Sequence, residues 1–328
     1  MIQARPQREA ERKVPQPARL FIIGDCHGHL STLEALLEKL GFKGLASPDD
    51  TQLVFLGDLI DRGPDSAGIV QRVRELCDAG KAQCLLANHE FNFVNYHTET
   101  APGSGVFRRP HNAKNDSEVC ETLASYHSRY QNATAAIQSD IAWFRELPIA
   151  LELGSLRLVH ACWHEDHLAT FRRRGAGWYL DDLIWESAWQ PGTQEYVSTE
   201  VLCKGVEREL PEELSFTDKN GITRSKARVC WWNEYPSSWD AFIRAPGLDL
   251  SQLPDVSKFP RSPQAPAVPT LFGHYWFTGT PRLISPYAAC LDFSVAAKNG
   301  GYLTAYEFHV ADEQLYDSRL HWVERRQP

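Results

Sequence analysis

The chain has 328 residues, of which 43% are hydrophobic and 23% are charged, as in ordinary soluble globular proteins with a substantial core. Its formal net charge of −8 argues against binding to a nucleic-acid polymer, which requires a basic surface, although a metal ion could still supply positive charge for a phosphorylated substrate. No apolar run approaches the roughly 18 residues that a membrane-spanning helix needs, so no membrane association is expected.

The cysteines and the N-terminal segment indicate where in the cell the protein is expected and how the chain divides into a tail and a domain. The eight cysteines form no C-x-x-C pair, and the N-terminus carries no apolar secretory segment, which together favour a reducing, cytoplasmic location. Residues 1–17 contain several charges and three prolines and are interpreted as a flexible tail. Residues 18–328 are expected to form one domain.

The first third of the chain predicts a β-α-β-α-β arrangement. Buried strands are predicted at 19–24, 51–58 and 82–90, and amphipathic helices at 31–41 and 66–80. Ser31 and Glu34 have the spacing of a capping box, and Gly41 suits the position just after a helix. Because parallel strands joined in this way end on one edge of a sheet, residues at those ends are expected to lie close together.

The rest of the chain is predicted to be more varied. Residues 91–147 are predicted to be mainly helical, and 149–162 to form two strands around Gly154-Ser155. Strands are also predicted at 270–277, 287–295 and 302–310, the last two joined by a turn at Asn299-Gly300. Residues 165–268, rich in Trp and Pro, are interpreted as an insertion or lid. Trp231 and Trp232 in it could stack on a nucleobase or cover a cleft, although packing against the scaffold is favoured.

Polar side chains follow the predicted strands, and their types indicate a metal site. They are Asp25, His27, Asp58, Asp61, Arg62, Asn88, His89, His160 and His274. Residues i and i+2 of an extended chain share a face, so Asp25 and His27 could bind one ion. Carboxylate, amide and imidazole ligands without thiolates suit Mn, Fe or Zn. Six such ligands are too many for one ion, so two ions sharing the Asp58 carboxylate are predicted.

Five short motifs together resemble those of the calcineurin-like metallophosphoesterase superfamily. They are GDCHG, GDLIDRG, ANHE, VHAC and FGHYW, at positions between 24 and 276. The resemblance is strongest to the branch that contains the phosphoprotein phosphatases and the symmetrical bis(5′-nucleosyl)-tetraphosphatases. It implies an α/β fold, a sandwich of two mixed sheets flanked by helices. It also implies two divalent metal ions as cofactors, with Mn favoured and Fe or Zn as alternatives.

The resemblance further implies a role for each polar residue. Asp25 and His27 would hold the first metal ion, with Asp58 as the bridge. Asn88, His160 and His274 would hold the second. His89 would be the general acid, kept protonated by Asp61, while Arg62 and Asn88 would bind the phosphoryl oxygens.

Three positions depart from the family pattern. Ala87 replaces a usual glycine, and it would strain the loop if that position required a positive φ. Asn92 stands where phosphoprotein phosphatases usually have an arginine, which weakens that particular likeness. Trp276 stands where more distant relatives have a histidine, so the first metal ion would complete its coordination with water.

The implied function is hydrolysis of phosphomonoesters, in phosphoproteins or small molecules, by in-line attack of a metal-bridging hydroxide. One alternative is a symmetrical dinucleoside tetraphosphate hydrolase, for which the partner is a dinucleoside polyphosphate. An alternative of another class is a non-catalytic metal-binding scaffold. That alternative predicts missing ligands, whereas all six are present.

Overall fold

Two mixed β-sheets form the centre of the molecule. A computed structural model describes residues 17–173, 177–209, 216–217, 223–236, 238–244 and 265–326. The strands of the two sheets are β1 (Arg19–Ile23), β2 (Thr51–Phe55), β3 (Ala82–Cys84), β4 (Ala150–Leu153), β5 (Leu156–Val159), β11 (Thr270–Phe272), β12 (Ala288–Cys290), β13 (Asp292–Phe293), β14 (Tyr302–His309) and β15 (Leu320–Glu324). The larger sheet has the order β13-β14-β1-β2-β3, with β15 also paired to β14, and the smaller has the order β12-β11-β5-β4.

The pairings explain why each sheet is mixed. Strand β1 runs parallel to β2, and β2 to β3, whereas β14 pairs antiparallel with β1. In the smaller sheet β11 runs parallel to both β5 and β12, while β4 and β5 form an antiparallel pair. This is the α/β sandwich of two mixed sheets that the sequence motifs predict, and that prediction is confirmed.

Nine helices lie in the described parts of the chain. They are α1 (Leu30–Lys39), α2 (Ser66–Asp78), α3 (Asn88–Tyr96), α4 (Ala113–Arg129), α5 (Ala133–Phe144), α6 (Glu165–Arg172), α7 (Asp182–Ser187), α8 (Gln194–Lys204) and α9 (Trp239–Phe242). Among these described helices, none is long and apolar enough to cross a bilayer.

Strands β1 and β2 of the larger sheet are buried on both faces. Leu20 and Ile22 of β1 belong to the apolar cluster between the two sheets, whereas Phe21 and Ile23 belong to the cluster under the helices. Two buried faces require apolar residues at every position, which is why these strands read as continuous apolar runs in the sequence. The polar residues that end those runs are therefore held by a rigid scaffold.

Several predicted boundaries are wrong, and each for a local reason. Helix α1 begins at Leu30 with His29 as its N-cap, so Ser31 lies inside the first turn and forms no capping box. Gly41 does end this helix, with φ +88° and its N–H donating to the Glu38 carbonyl. The predicted strand 82–90 ends at Cys84, and the Asn-His-Glu motif opens helix α3 instead.

The C-terminal strands also differ from the prediction. The run 287–295 divides into β12 and β13, which belong to different sheets. Strands β13 and β14 pair antiparallel as predicted, but residues 294–301 connect them, and the Gly300 N–H donates to the Ala297 carbonyl. The connection is thus a longer loop and not a two-residue turn at Asn299-Gly300.

Part of the predicted insertion 165–268 forms a separate three-stranded sheet. Its strands are β6 (Glu207–Glu209), β9 (Lys226–Val229) and β10 (Ile243–Arg244), beside a short hairpin of β7 (Phe216–Thr217) and β8 (Thr223–Arg224). Trp231 is 1% exposed and donates to the Ala161 carbonyl at 2.9 Å, while Trp232 stacks on Phe272. These two rings pack the segment onto the sandwich. The Pro-rich stretch 254–264 and the tail up to residue 16 lie outside the described residues, so the lid and the tail remain predictions.

Candidate metal centre

Asp58 stands between two groups of histidines at the carboxyl ends of the central strands. Its Oδ2 lies 3.5 Å from His27 Nε2 and 3.9 Å from His89 Nε2. Its Oδ1 lies 3.4 Å from His160 Nε2, and His274 completes this second group. Each group keeps its ligand atoms within 4.8 Å of one another and is buried. One carboxylate is thus presented to two places where a metal ion could bind.

The imidazoles of the two groups are oriented by backbone carbonyls. His27 Nδ1 lies 3.0 Å from the Ile60 oxygen, and His160 Nδ1 lies 2.9 Å from the Leu56 oxygen. In each ring the Nδ1–H donates outward, which directs Nε2 toward Asp58. Such outward hydrogen bonds select the tautomer that leaves Nε2 able to bind a metal ion.

The position of Asn88 bears on whether a cation fits the second group. Its carbonyl oxygen lies 3.1 Å from His160 Nε2 and 2.9 Å from His274 Nδ1. Without a cation, the reversed amide would be better satisfied, since its NH₂ would donate to both nitrogens. With a divalent cation, the Asn88 oxygen and the two imidazole nitrogens would be three electron-pair donors around one point. Oxygen and imidazole donors without a thiolate fit Mn, Fe or Zn.

Asp25 lies beside these groups but belongs to neither of them. The chain is not extended between Asp25 and His27, because His27 has φ +41° in a turn, so the argument from i, i+2 spacing is wrong. Asp25 Oδ2 accepts the His274 N–H at 3.0 Å, whereas Oδ1 is buried without a hydrogen-bond partner. Gly273 leaves room for this oxygen, since a Cβ there would lie 2.0 Å from Oδ1. Its role as a ligand remains a prediction.

Burial and mutual charge shift the pKa values of the acids and imidazoles here. Burial, and then the neighbouring Asp292, raise the pKa of the Asp25 carboxyl well above its usual range. Burial alone would also raise the pKa of Asp58, but His160 and His89 outweigh it and hold that pKa well below the usual range. Burial would lower the pKa of His160, yet Asp58 raises it to about 9. A metal ion would have to displace the His160 proton.

We expect Asp25→Asn to stabilise the metal-free protein. The raised pKa means that the charged carboxylate destabilises the fold above the unfolded-state pKa of about 4. The neutral amide should therefore stabilise the fold at pH 7 by about 1 kcal/mol, which raises the melting temperature of a chain of 328 residues by about 1 to 2 °C. Thermal unfolding in a chelator measures this. Exposed Asp49→Asn is the control. The difference in melting temperature between Asp25→Asn and the parent should vanish as the pH falls to about 4. An Asp25→Asn protein that melts at a lower temperature than the parent at pH 7 would contradict the expectation.

Strained backbone is concentrated at this site. Six of the eight described non-glycine residues with positive φ lie here, namely His27, Asp58, Asp61, Arg62, His274 and Trp276. Such conformations cost free energy and persist only where surrounding contacts impose them. At these six positions the unusual backbone conformation directs the side chains into the site, whereas the backbone of an ordinary turn would direct them elsewhere.

Glu90 imposes part of that conformation, and the sequence reasoning assigned it no role. Its Oε2 accepts the Asp58 N–H at 3.0 Å, and its Oε1 accepts the N–H of Leu59 at 2.8 Å and of Ile60 at 3.4 Å. Burial, and then Asp58, raise the pKa of Glu90 to about 7. Its signal in the sequence is an acid directly after His89 and before the apolar residue Phe91.

His89 and Asp61 form a buried pair at the edge of the first group. His89 Nδ1 and Asp61 Oδ2 lie 2.5 Å apart. Thr122 of helix α4 donates to the other oxygen of Asp61 at 2.6 Å, a contact that local sequence could not indicate. Asp61 thus orients the ring of His89 so that Nε2 faces Asp58.

Arg62 reaches the first group from the solvent side. Its Nη1 lies 3.1 Å from His27 Nε2, and its guanidinium stacks on Trp276 at 4.4 Å from the ring centre. The Trp276 N–H donates to Asp292 Oδ2 at 2.7 Å, which fixes the backbone under that ring. Trp276 and the buried Asp292 are therefore positioning residues that the motifs did not identify.

Ala87 causes no strain. Its φ is −111°, so the position does not require a glycine. The residue that has no room for a side chain is Gly57, because a Cβ there would lie 2.4 Å from the Ala87 methyl group. Gly57 has φ +92°, and it is the residue that must be glycine at this contact.

Comparison with known proteins places this site in a family. Residues 18–197, more than half of the chain, match the model of the calcineurin-like phosphoesterases. Two relatives named symmetrical bis(5′-nucleosyl)-tetraphosphatase come from Ralstonia nicotianae and Shewanella baltica. They are 31% identical over 143 residues and 28% identical over 139 residues. The match covers 42% of this chain in both cases, with 40% and 42% of the relatives, so the chain spans about two-fifths of their length.

A solved structure shows a more distant likeness. A protein serine/threonine phosphatase from Saccharomyces cerevisiae superimposes with a TM-score of 0.47 and 13% identity, over 96% of this chain and 82% of that one. A likeness of this size says nothing about activity. The family match and the motifs it contains, which supply Asp25, His27, Asp58, Asn88 and His160, agree on one conclusion. The chain belongs to the calcineurin-like phosphoesterase family.

Proposed function

We propose that the protein is a phosphoesterase that uses two divalent metal ions. The observation that carries this proposal is the position of Asp58, which turns one oxygen to His27 and the other to His160. A carboxylate shared in this way keeps two cations close together, and two close cations can clamp a phosphoryl group.

The geometry and the family membership support the proposed ligand sets. His27 and Asp58, with Asp25 as the expected third ligand, would hold the first ion. Asp58, Asn88, His160 and His274 would hold the second. When bound, the two ions would supply Lewis acidity to the phosphoryl oxygens and lower the pKa of a coordinated water. Manganese is the proposed metal, with iron or zinc as alternatives.

The chain's own residues would supply the remaining chemistry. His89, oriented by Asp61, has Nε2 facing the centre and would donate a proton to the leaving oxygen. Arg62 is exposed and would bind the phosphoryl oxygens. Because His27 Nε2 has one lone pair, metal binding there would release the Arg62 guanidinium from its contact with His27.

The core site requires only a single phosphoryl group, so a phosphomonoester is the first proposed substrate. A dinucleoside tetraphosphate is the second candidate, and the observation that favours it is the activity named for the relatives from Ralstonia nicotianae and Shewanella baltica. The cytoplasmic location stays a prediction.

The test is metal-dependent turnover by the full-length protein. We expect p-nitrophenyl phosphate hydrolysis to disappear with chelator and to return with Mn²⁺. Elemental analysis is expected to find about two ions per chain, as a two-metal site requires. A protein that binds two ions yet hydrolyses no phosphoester or phosphoanhydride would instead be the non-catalytic metal-binding scaffold.

A further inference from the structure

The buried face of helix α4 contacts the loop that carries Asp61. Thr122 in that face has no exposed surface, and its hydroxyl lies 2.6 Å from Asp61 Oδ1 and 3.0 Å from the Asp61 amide nitrogen. In the part of the chain that the structure describes, no other group donates to Asp61 Oδ1. One side chain, distant in sequence, is thus bonded to both the backbone and the carboxylate of Asp61.

The Thr122 hydroxyl has one proton, and the geometry assigns it to Asp61. The possible acceptors are Asp61 Oδ1 at 2.6 Å and Ser66 Oγ at 3.1 Å. A hydrogen bond to a carboxylate is shorter and stronger than one to a neutral hydroxyl, so the proton points to Oδ1. The Thr122 oxygen in turn accepts the Asp61 N–H. The same hydroxyl therefore holds the side chain and the backbone of one residue.

Asp61 requires this support because its backbone conformation is unfavourable. Its φ is +67°, which a non-glycine residue keeps only where surrounding contacts impose it. Ser125, one turn further along helix α4, accepts the Ala67 N–H at 3.0 Å and donates to Asp65 Oδ1 at 3.2 Å. Helix α4 thus holds both ends of the loop between Asp61 and helix α2, and Thr122 holds the end nearer the metal centre.

The carboxylate of Asp61 connects Thr122 to His89. Its Oδ1 accepts from Thr122, while its Oδ2 lies 2.5 Å from His89 Nδ1, so the three side chains form one series of hydrogen bonds. His89 Nε2, at the far side of the ring, lies 3.9 Å from Asp58 Oδ2. A rotation of the Asp61 carboxylate would lengthen its bond to His89 and change the direction of Nε2. The orientation of the imidazole therefore depends on Thr122, which acts on it through Asp61.

We propose that Thr122 is a positioning residue for proton transfer by His89. Its hydroxyl fixes the Asp61 carboxylate, and the fixed carboxylate keeps His89 Nε2 directed at the leaving oxygen of the substrate. This inference rests on the proposed function, which makes His89 the general acid. It gives helix α4, which contains none of the five sequence motifs, a part in the reaction.

The first experiment compares two leaving groups in Mn²⁺-loaded full-length protein. Thr122→Val keeps nearly the same shape and removes the hydroxyl. We expect it to lower kcat for an alkyl phosphomonoester about tenfold with KM unchanged, as loss of one charge-assisted hydrogen bond predicts. Turnover of p-nitrophenyl phosphate, whose leaving group needs no proton, should fall less than about twofold. Thr122→Ser retains the hydroxyl and should hydrolyse the alkyl substrate as the parent does.

Thr199→Val is the matched control. Thr199 is also a buried threonine within a helix, but its hydroxyl has no hydrogen-bond partner among the described residues. It should leave kcat for both substrates within about twofold of the parent. Equal losses on both substrates in Thr122→Val, no loss at all, or the same selective loss in Thr199→Val would overturn the inference. If Thr122→Val does not fold, Thr122→Cys carries the test, since its weaker donor should give an intermediate loss.

A second measurement decides the inference independently of turnover. The short hydrogen bond between His89 Nδ1–H and Asp61 should give a far-downfield proton resonance in protein loaded with diamagnetic Zn²⁺, identified by its absence from His89→Asn. We expect this resonance to shift or broaden in Thr122→Val and to stay unchanged in Thr122→Ser and Thr199→Val. An unchanged resonance in Thr122→Val would overturn the inference whether or not the protein is active. An inactive protein in which the resonance shifts would refute only the proposed function.

Discussion

Asp58→Asn is expected to remove both metal ions and to lower turnover of p-nitrophenyl phosphate by at least about 10³-fold. Asp58 is the one residue shared by both groups of ligands, and each of its oxygens faces a different histidine. The amide of Asn keeps one oxygen but presents NH₂ in place of the other, and it carries no negative charge. One of the two positions therefore loses a ligand atom, and both lose the anion between them.

The chain offers a closely matched control for this substitution. Asp50 has the same φ of +48° as Asp58, but it is exposed and lies away from both ligand groups. Asp50→Asn should retain full metal content and activity. Metal content is measured by elemental analysis after gel filtration, and circular dichroism verifies the fold. Two bound ions in a folded Asp58→Asn protein would exclude Asp58 as the bridge.

His89→Asn should lower turnover of an alkyl phosphomonoester roughly 10²- to 10⁴-fold without loss of metal. His89 Nδ1–H donates to Asp61, and a second proton, on Nε2, is the one that would pass to the leaving oxygen. An alkoxide requires that proton, whereas p-nitrophenolate leaves without it. The loss should accordingly be much smaller with p-nitrophenyl phosphate. Measuring kcat on both substrates gives the ratio that identifies a general acid.

Two further variants determine what His89 does. Asp61→Asn should reproduce part of the loss, since it removes the acceptor that orients the ring, while exposed His127→Asn should have no effect. The ligand atoms of His89, His27 and Asp58 lie within 4.8 Å of one another, so His89 could itself bind a metal ion. The metal content of the His89→Asn protein must therefore be measured. If His89→Asn loses one ion, His89 is a metal ligand; if both substrates slow equally with metal intact, it is not the general acid.

The sequence predicted the central strands and the residues that follow them with good accuracy. Strands β1, β2 and β5 are buried runs whose apolar pattern depends only on local burial. Gly154-Ser155 and Gly41 are turn and helix-end signals of similar short range. The motif residues come directly after these strands in the sequence. Because the strands end at one edge of the sheet, it was predictable that these residues would lie close together.

Only the tertiary structure showed how those residues meet. Asp25 lies outside both ligand groups, and the left-handed conformation of His27 shows that a spacing of two positions did not imply a shared face. Glu90 holds the loop that begins at Asp58, and Thr122, distant in sequence, bonds to Asp61.

The amino-acid sequence by itself thus determined the scaffold, the family and the chemical types of the site residues. The tertiary structure decided which atoms face one another, how Arg62 rests on Trp276, and that Arg325 and Arg326 come to lie beside His29. The physical reason is the separation in sequence of the residues that interact. Periodicity and turn preference are set by neighbours a few positions apart, whereas these contacts join residues separated by tens to hundreds of positions, and their geometry depends on the packing of the whole sandwich.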